Sequence, residues 1–233
     1  MSNEVWCVIP AAGIGKRMLS AIPKQYLRLH GKTVLEHSLS CFLQHPQIKG
    51  IVVVLSAEDD YWQDLAAHYH GLPVYRAVGG QERADSVLNG LKYLQQQLKI
   101  ASTAKVLVHD AARPCLSQED LSRLLASNSN QGALLATPVR DTMKRAFKGQ
   151  KVISHTEERA DLWHALTPQL ATLGLLIQAL EQALKSGTII TDEASALEYL
   201  GLQPLLVEGD ASNIKITRPA DLALAEFFLQ EQA

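Results

Sequence analysis

The stretch VWCVIPAAGIGKRM, residues 5–18, joins an apolar run to a short glycine-rich turn. Its first five residues scarcely alternate between polar and apolar, which is typical of a strand buried on both faces of a parallel sheet. The turn holds Gly13 and Gly15 beside Lys16 and Arg17. Glycines and cations at the end of a first strand predict a phosphate-binding loop at the carboxyl edge of an α/β sheet.

The rest of the chain repeats this alternation of strand and helix. Three further apolar runs predict buried strands at Ile51–Leu55, Lys105–His109 and Ala133–Val139. Helical spacing between the strands is shown by Val34, Leu35, Leu39, Phe42 and Leu43, and again by Val87, Leu88, Leu91 and Leu94. Capping patterns predict further helix starts at Gln118, after Ser117, and near Pro219, between Thr217 and Asp221. We therefore expect an α/β fold, a mostly parallel sheet with helices on both faces, in a single domain of residues 1–233.

Composition excludes several classes of protein. The 233 residues are 47% hydrophobic and 20% charged with a net charge of −2, which is the balance of a globular protein and gives no reason to expect a nucleic-acid partner. The cysteines, Cys7, Cys41 and Cys115, form neither a disulfide framework nor a zinc motif. Without a transmembrane stretch or room for a signal peptide before the first strand, we expect a reduced cytoplasmic protein.

The glycine loop departs from two familiar fingerprints. Met18 stands where the dinucleotide motif G-x-G-x-x-G needs its third glycine, and no Walker A string occurs. An ordinary strand-to-helix turn and a loop for another nucleotide's phosphates both remain open. Lys24 favours the phosphate-binding loop, because Pro23 fixes the backbone just before it. The usual alternative is a lysine exposed to solvent.

Polar residues follow two other predicted elements. Asp110 comes after the strand that ends at His109, where it can either bind Mg²⁺ carried by a triphosphate or cap a turn. We interpret His109 as a structural histidine. Gly79-Gly80 opens a second glycine loop, in which Asp85 or Ser86 can cap the following helix.

Two segments near the end of the chain have extended patterns. Residues 213–217 alternate, so we predict a short strand with Lys215 on the opposite face from its isoleucine neighbours, either as an edge-strand lysine or as a ligand. Residues 141–156 predict a hairpin with its turn at 148–150. Such a polar hairpin is either a surface flap or an arm that packs on a second subunit.

The chain lacks recognisable acid–base machinery. It contains no G-x-S-x-G elbow and no supported cysteine–histidine pair. A phosphate monoester, whose second pKa is about 6, is already largely dianionic at neutral pH and needs no base to act as a nucleophile. Alignment and charge neutralisation then suffice for catalysis, which suits a site rich in cations.

Eight motifs together carry a family resemblance. They are PAAGIGKRM (10–18), PKQYL (23–27), GGQERADSV (79–87), HDAARP (109–114), PVRDTMKR (138–145), LWHALTPQ (162–169), TDEASALE (191–198) and NIKITRP (213–219). In this order they closely resemble the 2-C-methyl-D-erythritol 4-phosphate cytidylyltransferases of the non-mevalonate isoprenoid pathway. The resemblance implies a Rossmann-like nucleotidyltransferase fold and transfer of CMP from CTP to methylerythritol phosphate, with Mg²⁺ and release of pyrophosphate. It also implies a homodimer formed through a β-arm at 138–160.

The resemblance also implies roles for individual residues. Arg17 and Lys24 would stabilise the transition state at the α-phosphorus, and Arg159 and Lys215, supported by Thr142 and Thr167, would position the polyol phosphate. Nucleotide binding would fall to Ala11, Ala12, Gly13, Gly15, Lys16, Gly80, Arg83, Ser86, Asp110 and Arg113, with Asp110 beside the metal-bound phosphates. Thr142 and Arg159 lie on or beside the arm and would act in the partner's site. Gln81 replaces an acidic residue common in relatives, which matters little if that position contacts cytosine through its backbone.

Two other functions remain open. A ribitol 5-phosphate cytidylyltransferase shares the fold and the glycine loop, but HDAARP, TDEAS and LWHALTPQ resemble the methylerythritol branch more closely. A non-catalytic nucleotide sensor on the same scaffold could dispense with Arg17 and Lys24. The presence of both cations favours an enzyme.

Overall fold

The computed structural model describes residues 4–13, 18, 20 and 22–232. The strands are β1 (Val5–Pro10), β2 (Arg28–Leu29), β3 (Lys32–Thr33), β4 (Ile48–Leu55), β5 (Val74–Val78), β6 (Lys105–Val108), β7 (Ala133–Pro138), β8 (Lys144–Ala146), β9 (Ile153–Thr156), β10 (Trp163–Thr172) and β11 (Leu205–Glu208). The α-helices are α1 (Val34–Leu43), α2 (Trp62–Ala66), α3 (Arg83–Gln96), α4 (Gln118–Leu125), α5 (Leu173–Lys185), α6 (Glu193–Tyr199) and α7 (Ala220–Glu231). Two short 3₁₀ turns lie at Lys24–Tyr26 and Ala67–Tyr69.

Seven strands form the main sheet, in the order β11-β7-β10-β6-β1-β4-β5. Neighbouring strands are parallel except at β10, which runs antiparallel to both β6 and β7. Strand β1 lies between β4 and β6, so that Val8 pairs with Val52 on one side and Val108 on the other. The chain runs from β1 to β4 and β5 on one side of β1, and then crosses back to β6 on the other side. Open α/β sheets bind ligands at such a switch in strand order.

Helices cover both faces of the sheet, as the sequence predicts. On one face Leu39 of α1 and Leu121 of α4 are fully buried in a cluster with side chains of β1, β4 and α2. On the other face Leu91 of α3 and Leu180 of α5 are fully buried in a second cluster. Because strand residues point alternately to the two faces, a strand covered on both sides reads as a continuous apolar run.

Local capping explains where two of these helices begin. The Thr33 hydroxyl accepts a hydrogen bond from the Glu36 amide at 3.1 Å, and the Glu36 carboxylate accepts one from the Thr33 amide at 2.6 Å. This reciprocal pair is a capping box at the start of α1. The Ser117 hydroxyl accepts from the Asp120 amide at 3.1 Å, so α4 begins at Gln118 as predicted. Helix α7 begins one residue after Pro219.

The predicted hairpin is present. Strands β8 and β9 pair antiparallel, and Gly149 has a φ of +77° in the turn that joins them. We call residues 138–160 the arm. Both of its strands are exposed throughout. Its packing on a second subunit stays a prediction.

The predicted strand at 213–217 is wrong. This segment has no ladder pairing, and its carbonyls bond to side chains instead of to a neighbouring strand. Arg113 donates to the Asn213 carbonyl at 2.6 Å, and Lys24 donates to the Ile216 carbonyl at 2.8 Å. The alternation itself is real, because Ile216 is fully buried while Lys215 points the other way, towards Asp110.

The three cysteines are buried and unbridged. Burial raises the pKa of Cys7 well above its ordinary value and raises the pKa of both Cys41 and Cys115 to about 12. Thiols with such pKa values are unreactive at neutral pH. Among the helices of the described residues, none combines the length and the apolar character needed to cross a bilayer.

Candidate active site

A cleft of about 290 Å³ opens at the carboxyl edge of the sheet, where the ends of β1, β5 and β6 meet. It brings together most of the residues predicted to bind nucleotide or to act on it: Ala11, Ala12, Gly13, Lys24, Gly80, Arg83, Ser86 and Asp110. Lys215, predicted to position the polyol phosphate, also lines it. Three further predicted residues, Gly15, Lys16 and Arg17, lie outside the described residues. Their roles stay predictions.

The two glycine loops meet along one wall of the cleft. A Cβ atom at Gly79 would lie 2.7 Å from the Ala12 Cβ and 2.9 Å from the Ser86 hydroxyl, so a side chain there would push the loops apart. The Ser86 hydroxyl accepts from the Gly80 amide at 3.0 Å, while the Asp85 carboxylate caps the Glu82 amide at 3.0 Å. Asp85 is therefore the third helical residue of a capping box whose N-cap is Glu82, and Ser86 holds the loop.

Lys24 is held at the cleft by the turn on which it lies. Its ammonium group donates to the Ile216 carbonyl at 2.8 Å. The neighbouring Gln25 side chain donates to the Ala11 carbonyl at 2.7 Å, and the Tyr26 hydroxyl donates to the Asp59 carboxylate at 2.8 Å. These contacts tie the 3₁₀ turn to β1 and to the loop after β4, so the Lys24 side chain has a fixed position at the cleft wall.

Asp110, itself buried, is the centre of a group of charges at the cleft. One carboxylate oxygen lies 3.0 Å from the Arg83 Nε, and the other lies 2.7 Å from the Lys215 Nζ and 3.7 Å from the Arg113 Nε. Burial alone would raise the pKa of Asp110, but the positive charges of Arg83 and Lys215 outweigh it and hold that pKa well below its ordinary value. Asp110 is therefore a carboxylate at neutral pH and orients the cations around it.

A residue to which the sequence assigned no role completes this group. The Glu193 carboxylate, 2% exposed, binds the end of the Arg83 guanidinium at 2.7 and 3.1 Å. Burial opposes the charge on Arg83, yet the two carboxylates raise the pKa of Arg83 above its ordinary value. Glu193 opens α6, and the sequence signal for it was an acidic residue in the first turn of a helix. That signal normally indicates nothing more than interaction with the helix dipole.

His109 and Thr167 support Asp110 from behind. The two ring nitrogens of His109 lie 2.9 Å from the Arg113 carbonyl and 3.0 Å from the Thr167 hydroxyl, and burial lowers the pKa of His109 to about 4. His109 is therefore a neutral structural histidine, as predicted. The Thr167 hydroxyl also accepts from the Asp110 amide at 3.1 Å. Thr167 is buried behind Asp110 and does not line the cleft, so its predicted support of the polyol phosphate site stays a prediction.

A second pocket, of about 470 Å³, adjoins the cleft. Its lining includes Arg113, Arg140 and Asn213, and Lys215 lies on the wall of both spaces. Arg113, predicted to bind nucleotide, faces this second pocket and not the first. The buried Arg113 side chain is bound to the Asn213 carbonyl and to Asp110. These contacts explain why it faces the second pocket.

The two predicted arm residues do not reach the cleft of their own chain. Thr142 is exposed between β7 and β8, and Arg159 is exposed after β9. The Arg159 guanidinium donates to the Arg140 carbonyl at the base of the arm. Neither residue lines the first cleft or the second pocket.

The described residues do not form a cage for a metal ion. No three His, Cys, Asp or Glu side chains of this part of the chain come together in a suitable way. Both oxygens of Asp110 already bind cations, so a Mg²⁺ ion on Asp110 would have to share an oxygen with Arg83 or Lys215. Of the described residues, those around the cleft therefore fit an anion that brings its own metal better than they fit a resident metal.

Comparison with known proteins shows which family this chain belongs to. The IspD family model, described as 2-C-methyl-D-erythritol 4-phosphate cytidylyltransferase, matches residues 5–231. A protein of that name from Salmonella arizonae is 56% identical over 229 residues, which are 97% of this chain and 94% of the relative. A crystal structure of 4-diphosphocytidyl-2C-methyl-D-erythritol synthase is 43% identical with a TM-score of 0.83, covering 97% of this chain and 99% of that one. The Francisella tularensis 2-C-methyl-D-erythritol 4-phosphate cytidylyltransferase structure is 34% identical with a TM-score of 0.78 over 97% and 99% of the two chains.

Proposed function

Because the chain belongs to the 2-C-methyl-D-erythritol 4-phosphate cytidylyltransferase family, we propose that it transfers CMP from CTP to 2-C-methyl-D-erythritol 4-phosphate. The products are 4-diphosphocytidyl-2-C-methyl-D-erythritol and pyrophosphate. The observation that carries the proposal is the near full-length family match, and the cationic cleft supports it.

The cleft suits in-line attack by one phosphate on another. The backbone of residues 11–13 and the Gly80 loop would hold CTP, while Lys215, on the wall shared with the second pocket, would hold the incoming phosphate. The phosphate monoester attacks the α-phosphorus, the bond from that phosphorus to the bridging oxygen breaks, and pyrophosphate leaves. Since the nucleophile is already ionised, no base is required. Lys24, and Arg17 by resemblance, would neutralise charge that develops on the phosphoryl oxygens.

We propose that Mg²⁺ arrives as part of the nucleotide substrate. The engagement of both Asp110 oxygens by cations supports this, because it leaves the triphosphate as the better ligand. A bound Mg²⁺ would neutralise phosphate charge. Asp110 would then act by orienting Arg83 and Lys215 beside that substrate.

We also propose a cytoplasmic homodimer joined through the arm. Apolar side chains on the arm, Phe147 and Ile153, are 51% and 61% exposed in one chain, which is unusual for a solvated hairpin. Burial against a second copy would cover them and would place Thr142 and Arg159 near the partner's cleft. The buried free thiols suit a reducing compartment.

Pyrophosphate release tests the proposed function. Each of the four ribonucleoside triphosphates is assayed with Mg²⁺ against methylerythritol 4-phosphate and against ribitol 5-phosphate. We expect the highest kcat/KM with CTP and methylerythritol 4-phosphate. Faster turnover of ribitol 5-phosphate would assign the chain to that reaction, and CTP binding with no turnover of either polyol phosphate would indicate a sensor.

A further inference from the structure

We propose that Glu193 is a positioning residue for this reaction, acting through Arg83 and Asp110 on Lys215. The inference rests on the proposed function and adds to it a residue that does not line the cleft. Glu193 lies at the start of α6 with its side chain buried, on the far side of Arg83 from Asp110.

The four side chains form a row of alternating charge. Glu193 binds both terminal nitrogens of Arg83, at 2.7 and 3.1 Å. This leaves the Arg83 Nε to reach a single oxygen of Asp110 at 3.0 Å. The second Asp110 oxygen then remains available to Lys215 at 2.7 Å. By binding the terminal nitrogens of Arg83, Glu193 thereby limits Arg83 to one oxygen of Asp110.

Without the Glu193 charge this division would not hold. The terminal nitrogens of Arg83 would lose their charged partner, which is costly for a half-buried guanidinium. Asp110 is the carboxylate already in contact with Arg83, and arginine readily binds both oxygens of a carboxylate. Such a pair would compete with Lys215 for the second Asp110 oxygen. The change in the position of Lys215 would therefore alter the wall shared by the cleft and the second pocket, where CTP and the polyol phosphate would meet.

The start of α6 is itself fixed in place. The Gln169 side chain accepts from the Ala194 amide at 2.7 Å and donates to the Asp192 carboxylate at 3.0 Å. Gln169 belongs to β10, an interior strand between β7 and β6. The Glu193 carboxylate is thus presented to Arg83 from a rigid support, as a positioning role requires.

Two substitutions separate this role from a packing role. Glu193→Gln keeps the size and removes the charge, whereas Glu193→Asp keeps the charge and shortens the side chain. We expect Glu193→Gln to lower kcat/KM for the polyol phosphate by on the order of tenfold to hundredfold, with the CTP dissociation constant changed by less than about threefold. Glu193→Asp should lower kcat/KM for the polyol phosphate by about threefold to tenfold. Packing alone predicts the reverse order, with the isosteric Gln the milder change.

A matched control and a substrate-free readout complete the test. Glu181→Gln removes a carboxylate that pairs with Lys92 at 2.7 Å on the surface of α5, and it should leave all constants unchanged. A ligand-free crystal structure of Glu193→Gln should show Arg83 bound to both oxygens of Asp110 and the Lys215 ammonium beyond hydrogen-bond distance. A retained contact between Lys215 and Asp110 would overturn the inference.

The outcomes for Glu193 and for the proposed function are distinguishable. If the wild-type chain turns over neither polyol phosphate, the proposed function fails, while the crystal structure of Glu193→Gln still decides whether Glu193 positions Lys215. If Glu193→Gln does not fold, Glu193→Asp provides the kinetic test, because it keeps the buried charges balanced. Wild-type kinetics in Glu193→Asp would then contradict the role.

Discussion

At the scale of single residues, the cations of the cleft are held by acceptors of the protein itself. Lys24 binds the Ile216 carbonyl, Lys215 binds Asp110, and Arg83 binds Glu193. The conformational entropy of these long side chains is therefore lost on folding and not on substrate binding. Donors fixed in advance stabilise a transition state more effectively than donors that must first reorganise.

Lys24→Ala tests this idea at the cleft wall. Because we assign Lys24 to charge that develops in the transition state, kcat should fall by about a hundredfold to a thousandfold while CTP affinity changes by less than about fivefold. Steady-state kinetics and titration calorimetry measure the two quantities. Lys32→Ala, at an exposed lysine of β3, serves as the control and should change neither. Loss of CTP affinity with kcat intact would assign Lys24 to ground-state binding instead.

His109 predicts a pH dependence of stability. Burial lowers the pKa of folded His109 from 6.5 to about 4, so between these values the unfolded chain binds a proton that the folded chain does not. The free energy of unfolding should be unaffected by His109 above pH 6.5 and should fall by about 3 kcal/mol as the pH drops to about 4. Urea unfolding of wild type and His109→Gln across this range isolates the effect, since the other histidines cancel in the difference. A difference that does not change with pH would contradict it.

At the scale of elements, α3 packs against the sheet at an unusually close distance. A Cβ atom at Gly90 would lie 2.6 Å from Val8 Cγ1 and 2.7 Å from Val54 Cγ2. Alanine favours a helix over glycine by about 1 kcal/mol, but overpacking a core costs about 1–3 kcal/mol. We therefore expect Gly90→Ala to lower the free energy of unfolding by about 1 kcal/mol. Urea denaturation checks this, with the exposed Gln96→Ala on the same helix within about 0.5 kcal/mol of wild type.

Elements that a local pattern specifies were predicted well from the sequence. Helices α1 and α3 and strands β1 and β4 follow from the spacing of their own apolar residues. Strand β10 and its antiparallel direction were not predicted, and the direction depends on pairing with β6 and β7, which lie far from it in the chain. For the same reason the segment 213–217 was predicted wrongly as a strand.

The candidate site shows the same limit. The family resemblance placed Asp110 and Lys215 in the site, and both line the cleft. It gave Glu193 no role, because the partner of Glu193 is 110 residues away along the chain and no local pattern indicates that Arg83 and Glu193 meet. Charged pairs between distant elements become visible when the fold brings them together.

At the scale of the whole molecule, the predicted site residues do not all come together within one chain. Arg159 is exposed at the base of the arm and does not line the cleft of its own chain. The arm carries exposed apolar residues, and a two-stranded hairpin is marginally stable by itself in water. Both observations are explained if the arm of one chain packs on a second copy and brings Arg159 to the partner's cleft.

Mixed dimers test whether Arg159 acts in the partner's site. Lys24→Ala and Arg159→Ala chains, each nearly inactive alone at low polyol phosphate concentration, are co-expressed with different tags or refolded together. If each site combines Lys24 of one chain with Arg159 of the other, a mixed dimer contains one site with both native residues. An equal random mixture should then recover about a quarter of wild-type activity. If Lys24 and Arg159 serve the same chain's site, no mixed dimer has a complete site and activity stays at the level of the separate variants.

The control adds Ile153→Glu to both chains, which places a charge at an exposed apolar side chain of β9. This change should give monomers by sedimentation and abolish the recovery of activity.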